Sequence, residues 1–134
     1  IGVGRNTLTQ YLHYLGRADL LHLLMAPGKS ISTLQKPDKI YLENTNLMYA
    51  MAPDKVDTGT LRETFALNQL SNNHHLHHPG NGDLLVDEEY TFEIGGPKKT
   101  KAQIRNTKNA YVLADQMEHA VGNKIPLWAM GMLY

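Results

Sequence analysis

Residues 82–99, "GDLLVDEEYTFEIGGPKK", decide how the chain is to be read. Two runs of β-forming residues flank Asp87, Glu88 and Glu89, which predicts a hairpin with a three-residue loop. Pairing then sets Val86 against Tyr90, Leu85 against Thr91, Leu84 against Phe92 and Asp83 against Glu93. In that register the two acids are cross-strand neighbours on one face, with side-chain carbons about 4.5–5.5 Å apart. Like charges placed opposite each other destabilise a sheet, so the arrangement needs a reason. A divalent cation supplies one, since Mg²⁺ or Mn²⁺ prefers carboxylate oxygens and water and polarises a phosphate. On a solvated edge the acids need no ion, and a different loop length separates them.

Outward from the hairpin, "HHLHH" (74–78) reads as a strand, "TKAQIRNTKN" (100–109) as a helix and "AYVLADQ" (110–116) as a strand. Upstream, "TLRETFALNQL" (60–70) places Leu61, Phe65 and Leu67 or Asn68 on a helical repeat, with Glu63 toward the side. The order predicts an α+β fold, a mixed sheet flanked by helices. "APDKVDTG" (52–59) is a polar, Pro- and Gly-punctuated link. Before it, "KIYLEN" (39–44) alternates like a strand and "TNLMYAM" (45–51) is amphipathic.

At the N-terminal end, Asn6 and Thr7 are candidate helix caps, and Leu8, Tyr11, Leu12 and Leu15 form one apolar stripe ending at Gly16. Leu20 to Met25, a "PGK" turn and "SISTLQ" (30–35) predict a hairpin. A helix with a polar outer face followed by a hairpin has the form of the second half of a winged helix. Arg5, Asn6, Thr9, Gln10 and His13 on the polar face are residue types that reach bases and phosphates from such a helix, and Lys29 in the turn suits a phosphate. A protein-interaction surface is the competing use of the same module.

The chain has 134 residues, 13 basic and 13 acidic, so global charge favours neither nucleic acid nor a membrane surface. It has no cysteine, which excludes disulfides and thiolate metal sites. No apolar run reaches the length of a transmembrane helix and no secretory signal is present, so a cytoplasmic protein without a membrane partner is expected. No GxxxxGK[ST] loop is present, which removes that route to nucleotide binding. Starting on Ile1, in the middle of a folding unit, it reads as a fragment. The histidines at 74–78 offer two imidazoles per strand face, short of a structural zinc set, and a tolerant surface strand explains them better. The apolar tail around Trp128 packs on the sheet or serves a homo-oligomer contact.

"KIYLENTNLMYAM", "GTLRETFALNQL", "GDLLVDEEYTFEIGG", "NAYVLAD" and "NKIPLWAMGMLY" together resemble the C-terminal region of prokaryotic AAA-type ATPases. There a winged helix is followed by a domain with the PD-(D/E)xK, restriction-endonuclease-like fold. The resemblance covers nearly the whole chain and implies three parts: residues 1–36 as the end of the winged helix, 37–59 as a connecting strand and helix, and 60–134 as the nuclease-like domain. It implies Glu63, Asp83 and Glu93 as the acids that hold Mg²⁺ or Mn²⁺. The lysine of the ExK element does not carry over, because Gly95 stands in its place, so the implied site is degenerate unless a lysine of "GGPKK" folds back. Lys98 is assigned that catalytic role, with Lys99 and Lys101 also within reach of the turn. The implied function is the nucleic-acid-facing module of an ATPase, with DNA and the upstream ATPase domain as partners and ATP bound only in that domain. A non-catalytic domain that regulates or oligomerises the ATPase is the alternative.

Overall fold

The central hairpin forms in the expected register over three of its four expected pairs, the strand starting at Leu84 so that Asp83 stands just before the ladder and is not paired with Glu93. In the computed structural model, which describes residues 2, 4–29 and 35–133, β4 (Leu84–Val86) and β5 (Tyr90–Gly95) are antiparallel, with Val86 opposite Tyr90 and Leu84 opposite Phe92. Asp87 and Glu88 in the loop take left-handed φ values of 52° and 56°, a conformation that short polar residues reach more readily than β-branched ones. Asp87 also fastens the loop to its neighbour: its Oδ1 accepts the His75 N–H at 2.8 Å, and its Oδ2 lies 2.6 Å from His74 Nδ1.

That fastening has a pH signature. The His74 hydrogen bond, and then the His75 N–H, hold Asp87 below the ordinary carboxylate pKa. A group depressed on folding adds stability above its unfolded pKa and loses it as pH falls through the folded value. Asp87→Asn should therefore lower the melting temperature most near neutral pH. The gap to the parent should close as pH falls below about 4, read by scanning calorimetry at a series of pH values.

Around this hairpin the sheet is mixed. β3 (Leu76–His77) pairs antiparallel with β4, while β6 (Ala110–Ala114) and β7 (Lys124–Pro126) extend the other side in parallel, giving the order β3-β4-β5-β6-β7. Parallel β5 and β6 need a crossover, for which the sequence predicts a helix at 100–109. The segment is instead a run of turns, with Ile104 N–H donating to Lys101 O and Thr107 N–H to Ile104 O. Thr100, Asn106, Thr107 and Asn109 favour turns over helix, and only Ile104 among 100–109 is buried. One apolar anchor gives no helical stripe to bury.

The other face of the sheet is covered by α3 (Thr58–Leu70), started by Asp57, whose Oδ1 accepts the Thr60 N–H at 2.8 Å. Ala66, Leu67 and Leu70 pack with Leu84, Val86, Ile94 and Leu113 in one core, which Leu24 and Tyr41 also join. Glu63 lies four and seven residues before Leu67 and Leu70, so the helical repeat carries it toward the sheet with them. The tail turns through a 3₁₀ segment at Leu127–Met132, where Leu127 and Met130 are buried and Trp128 stays half-exposed.

A separate ribbon precedes the sheet. β1 (Leu21–Leu24) pairs antiparallel with β2 (Lys39–Leu42), and α2 (Thr45–Met51) follows under an Asn44 cap. The expected strand partner in "SISTLQ" falls, apart from Gln35, outside the described residues. α1 (Arg5–Arg17) begins after Gly4 without a side-chain cap, so neither Asn6 nor Thr7 caps it. Most of its apolar stripe does not turn inward as expected: Leu12 is half-buried, while Arg5, Asn6 and Gln10 of the polar face stay exposed. Leu8, Tyr11 and Leu15 are exposed, whereas Thr9 is buried. A Cβ on Gly16 would stand 3.1 Å from the Leu23 side chain. The small-residue side thus lets α1 approach β1 closely, and that contact prevails over the apolar stripe. Among the described residues no helix is long and apolar enough to cross a membrane.

Candidate functional site

Each acid singled out in the sequence arrives from a different element. Glu93 sits in the middle of β5 between β4 and β6, and it is fully buried. Asp83 directly precedes β4, where its Oδ2 accepts the Ile94 N–H at 2.8 Å, and its backbone N–H donates to Phe92 O. The side chain thereby replaces a ladder acceptor and is held beside β5. Glu63 reaches the same region from α3 and accepts a hydrogen bond from the Tyr41 hydroxyl. Burial, followed by that bond to Glu63, raises the Tyr41 pKa far above the phenol range, so Tyr41 stays a donor.

Two lysines tie the acids into one cluster. Lys99 Nζ lies 2.7 Å from Glu93 Oε1 and 3.9 Å from Asp83 Oδ2. Lys39 Nζ lies 3.6 Å from Glu63 Oε2 and 3.7 Å from Asp83 Oδ1. Burial opposes the charge on Lys99, but the Glu93 hydrogen bond and the fields of Asp83, Glu93 and Glu63 outweigh it and hold its pKa above the usual lysine range. Lys99 is therefore an ammonium at neutral pH.

The lysine assignment changes accordingly. Lys98 is exposed and makes no ion pair among the described residues, so it does not join the cluster. Lys99 does, because "GGPK" closes a turn in which the Lys99 N–H donates to Gly96 O at 2.9 Å. Gly95 makes room for it: a Cβ at that position would stand 2.8 Å from both Cγ and Cδ of Lys99. The missing side chain and the incoming lysine occupy the same space.

The donors suit a hard cation. Three carboxylates face the cluster, and buried Glu93 Oε2 has no hydrogen-bond partner among the described residues, a costly state unless something else meets it. Oxygen donors of this kind match Mg²⁺ or Mn²⁺. Among the described residues no group of three or more His, Asp or Glu side chains is arranged to hold a metal ion as it stands. Here Lys39 stands between Glu63 and Asp83, and Lys99 between Asp83 and Glu93.

The residues assigned to nucleic acid lie elsewhere. Arg5, Asn6 and Gln10 are exposed on α1, but Thr9 is withdrawn, its hydroxyl donating to Arg5 O at 3.0 Å. His13 is half-buried and lines a cleft of about 420 Å³ with His22, His74, His75 and His77. Lys29 pairs with Asp38 at 3.1 Å. Among the described residues the histidines form no metal cluster: His22 lies 3.2 Å from Glu43 Oε2, and His77 3.8 Å from Glu88 Oε1. Sequence reading missed Lys39 and Tyr41. Their signal was the two-residue spacing in "KIY", which puts both on one face of β2. Compared with protein-family models, curated proteins and solved structures, the chain matches none.

Proposed function

We propose that this chain carries a divalent-metal-dependent phosphodiester-cleaving site of the PD-(D/E)xK kind, in the nucleic-acid-facing C-terminal module of an AAA-type ATPase. One observation carries the reading: Glu63, Asp83, Glu93 and Lys99 are linked in one cluster although the motif position at residue 95 holds no lysine. The degenerate motif is thus completed in space by a lysine four residues on.

Glu63, Asp83 and Glu93 would hold the ion, Mg²⁺ or Mn²⁺. Bound there, such an ion supplies an activated water and polarises the phosphate. Asp83 is fixed by the Ile94 N–H, and Glu93 by the sheet on both sides, so neither has to reorganise. Lys99 is charged at neutral pH, so it acts as a donor and positive charge toward a phosphate oxygen and not as a base. ATP hydrolysis belongs to the upstream domain in this reading.

Calorimetric titration of Mn²⁺ tests it. The parent should bind one ion, and Asp83→Ala should lose that binding while still folding. Cleavage of duplex and single-stranded DNA is then assayed with and without metal. Binding that persists unchanged in Asp83→Ala would end the proposal.

A second reading is favoured by α1, whose apolar residues Leu8, Tyr11, Tyr14 and Leu15 face outward. An exposed stripe of that kind suits a protein contact better than a phosphate backbone. The N-terminal unit then serves the ATPase side, and DNA contact falls to the sheet.

A further inference from the structure

Lys39 is the one member of the cluster that the nuclease-like motif does not call for. It comes from β2, outside the five-stranded sheet that carries Asp83 and Glu93. Its ammonium stands almost equally far from Glu63 Oε2 and Asp83 Oδ1, at 3.6 and 3.7 Å, between two acids that would share a metal. Tyr41, two residues on, donates to the same Glu63 oxygen, and its ring lies 5.9 Å below the Lys39 ammonium. One face of one strand thus supplies both a charge and a donor to Glu63.

Charge explains what that does. Three carboxylates against two ammonium groups leave the cluster one negative charge, too little to attract a divalent ion strongly. With Lys39 withdrawn, two negative charges remain, enough to neutralise one Mg²⁺ or Mn²⁺. The Lys39 side chain is 30% exposed, so it has a route to solvent. Lys99 is held more firmly by the fully buried Glu93.

We propose that Lys39 is a resident counter-cation, occupying the position between Glu63 and Asp83 that a divalent metal takes, and swinging out when the metal binds. The site's metal affinity is then set by the β1–β2 ribbon, since Lys39 opens β2 opposite Leu24 of β1. Movement of that ribbon, on which α1 packs, would draw the lysine out and switch the site toward its metal-bound form. This rests on the metal-site reading above.

Two measurements on the whole chain test it, with Mn²⁺ as the probe. In calorimetry, Lys39→Met should bind Mn²⁺ about tenfold more tightly than the parent, the order expected when one like charge about 4 Å from a partly solvated cation site is removed. In the unmutated chain, acetylation of Lys39 by acetic anhydride, read by mass spectrometry, should rise several-fold on saturation with Mn²⁺. Asp83→Asn should abolish that rise. The second arm needs no Lys39 variant to fold. Parent binding with equal or weaker affinity in Lys39→Met, or with Lys39 reactivity unchanged, overturns this proposal alone. No binding by parent or variant overturns the metal site and this proposal with it.

Discussion

Lys99→Ala is expected to remove metal-dependent DNA cleavage by at least about a hundredfold, the usual cost of losing one positive donor aimed at a transition-state oxygen. The same change leaves the fully buried Glu93 carboxylate without the ammonium that stands 2.7 Å away. Removing one partner of a buried pair costs about 3–5 kcal/mol. Lys99 is 31% exposed, which places the loss at about 3 kcal/mol or below. Lys98→Ala, which touches no acid in the cluster, should leave both cleavage and stability near the parent values. The decisive variant combines Gly95→Lys with Lys99→Ala. The new stem fills the space that Cγ and Cδ of Lys99 vacate, with the Cβ of residue 99 left 3.0 Å away and shifting to make room, so it should restore cleavage if the chemistry needs an amine there and not a particular chain position. Thermal melts beside single-turnover cleavage assays separate the two effects. Cleavage untouched in Lys99→Ala but lost in Lys98→Ala would reverse the assignment.

The hairpin was legible because its own residues decide it. Apolar and β-branched residues flank an acidic triplet, and Leu84, Leu85 and Val86 meet Phe92, Thr91 and Tyr90 as the loop length requires. Glu63 was legible in part: helical spacing put it toward the side of its helix and the resemblance supplied its role, while its place four and seven residues before the core residues Leu67 and Leu70 emerges from the structure. What failed to show were matters settled in space. Whether Lys98 or Lys99 reaches Glu93 depends on a turn closed at Gly96 and on the Cβ that Gly95 lacks, neither of which follows from the spelling "KK". Lys39 and Tyr41 come from a strand far back in the chain, Tyr41 lying 22 residues before Glu63. The orientation of α1 was misread because its stripe was weighed alone. Gly16 against Leu23 permits a closer backbone approach than the larger side chains allow, and that contact leaves Leu8, Tyr11 and Leu15 outside.

Gly82→Ala should be the most damaging conservative change to the fold. Gly82 has φ of 96°, in the left-handed half of backbone space that a Cβ disfavours by about 1–2 kcal/mol. That Cβ would also stand 2.9 Å from Thr91 Cγ2, 3.0 Å from Ile104 Cγ2 and 3.2 Å from Phe92 O. The last is backbone of the central strand, with no rotamer to change, and overpacking of this kind adds about 1–3 kcal/mol. Together the terms approach about 3 kcal/mol or more, a large share of the roughly 5–15 kcal/mol that holds a domain folded. The melting temperature should fall by on the order of 10 °C. Gly80→Ala is the control: two residues away, its φ is ordinary and nothing lies within 4 Å of its Cβ. It should melt within a few degrees of the parent. Since Gly82 directly precedes Asp83, relief of the clash by backbone movement would shift that carboxylate off the Ile94 N–H. Any Gly82→Ala protein that survives should therefore bind Mn²⁺ more weakly than Gly80→Ala. If both variants melt alike and bind alike, the close packing at this turn does not position Asp83.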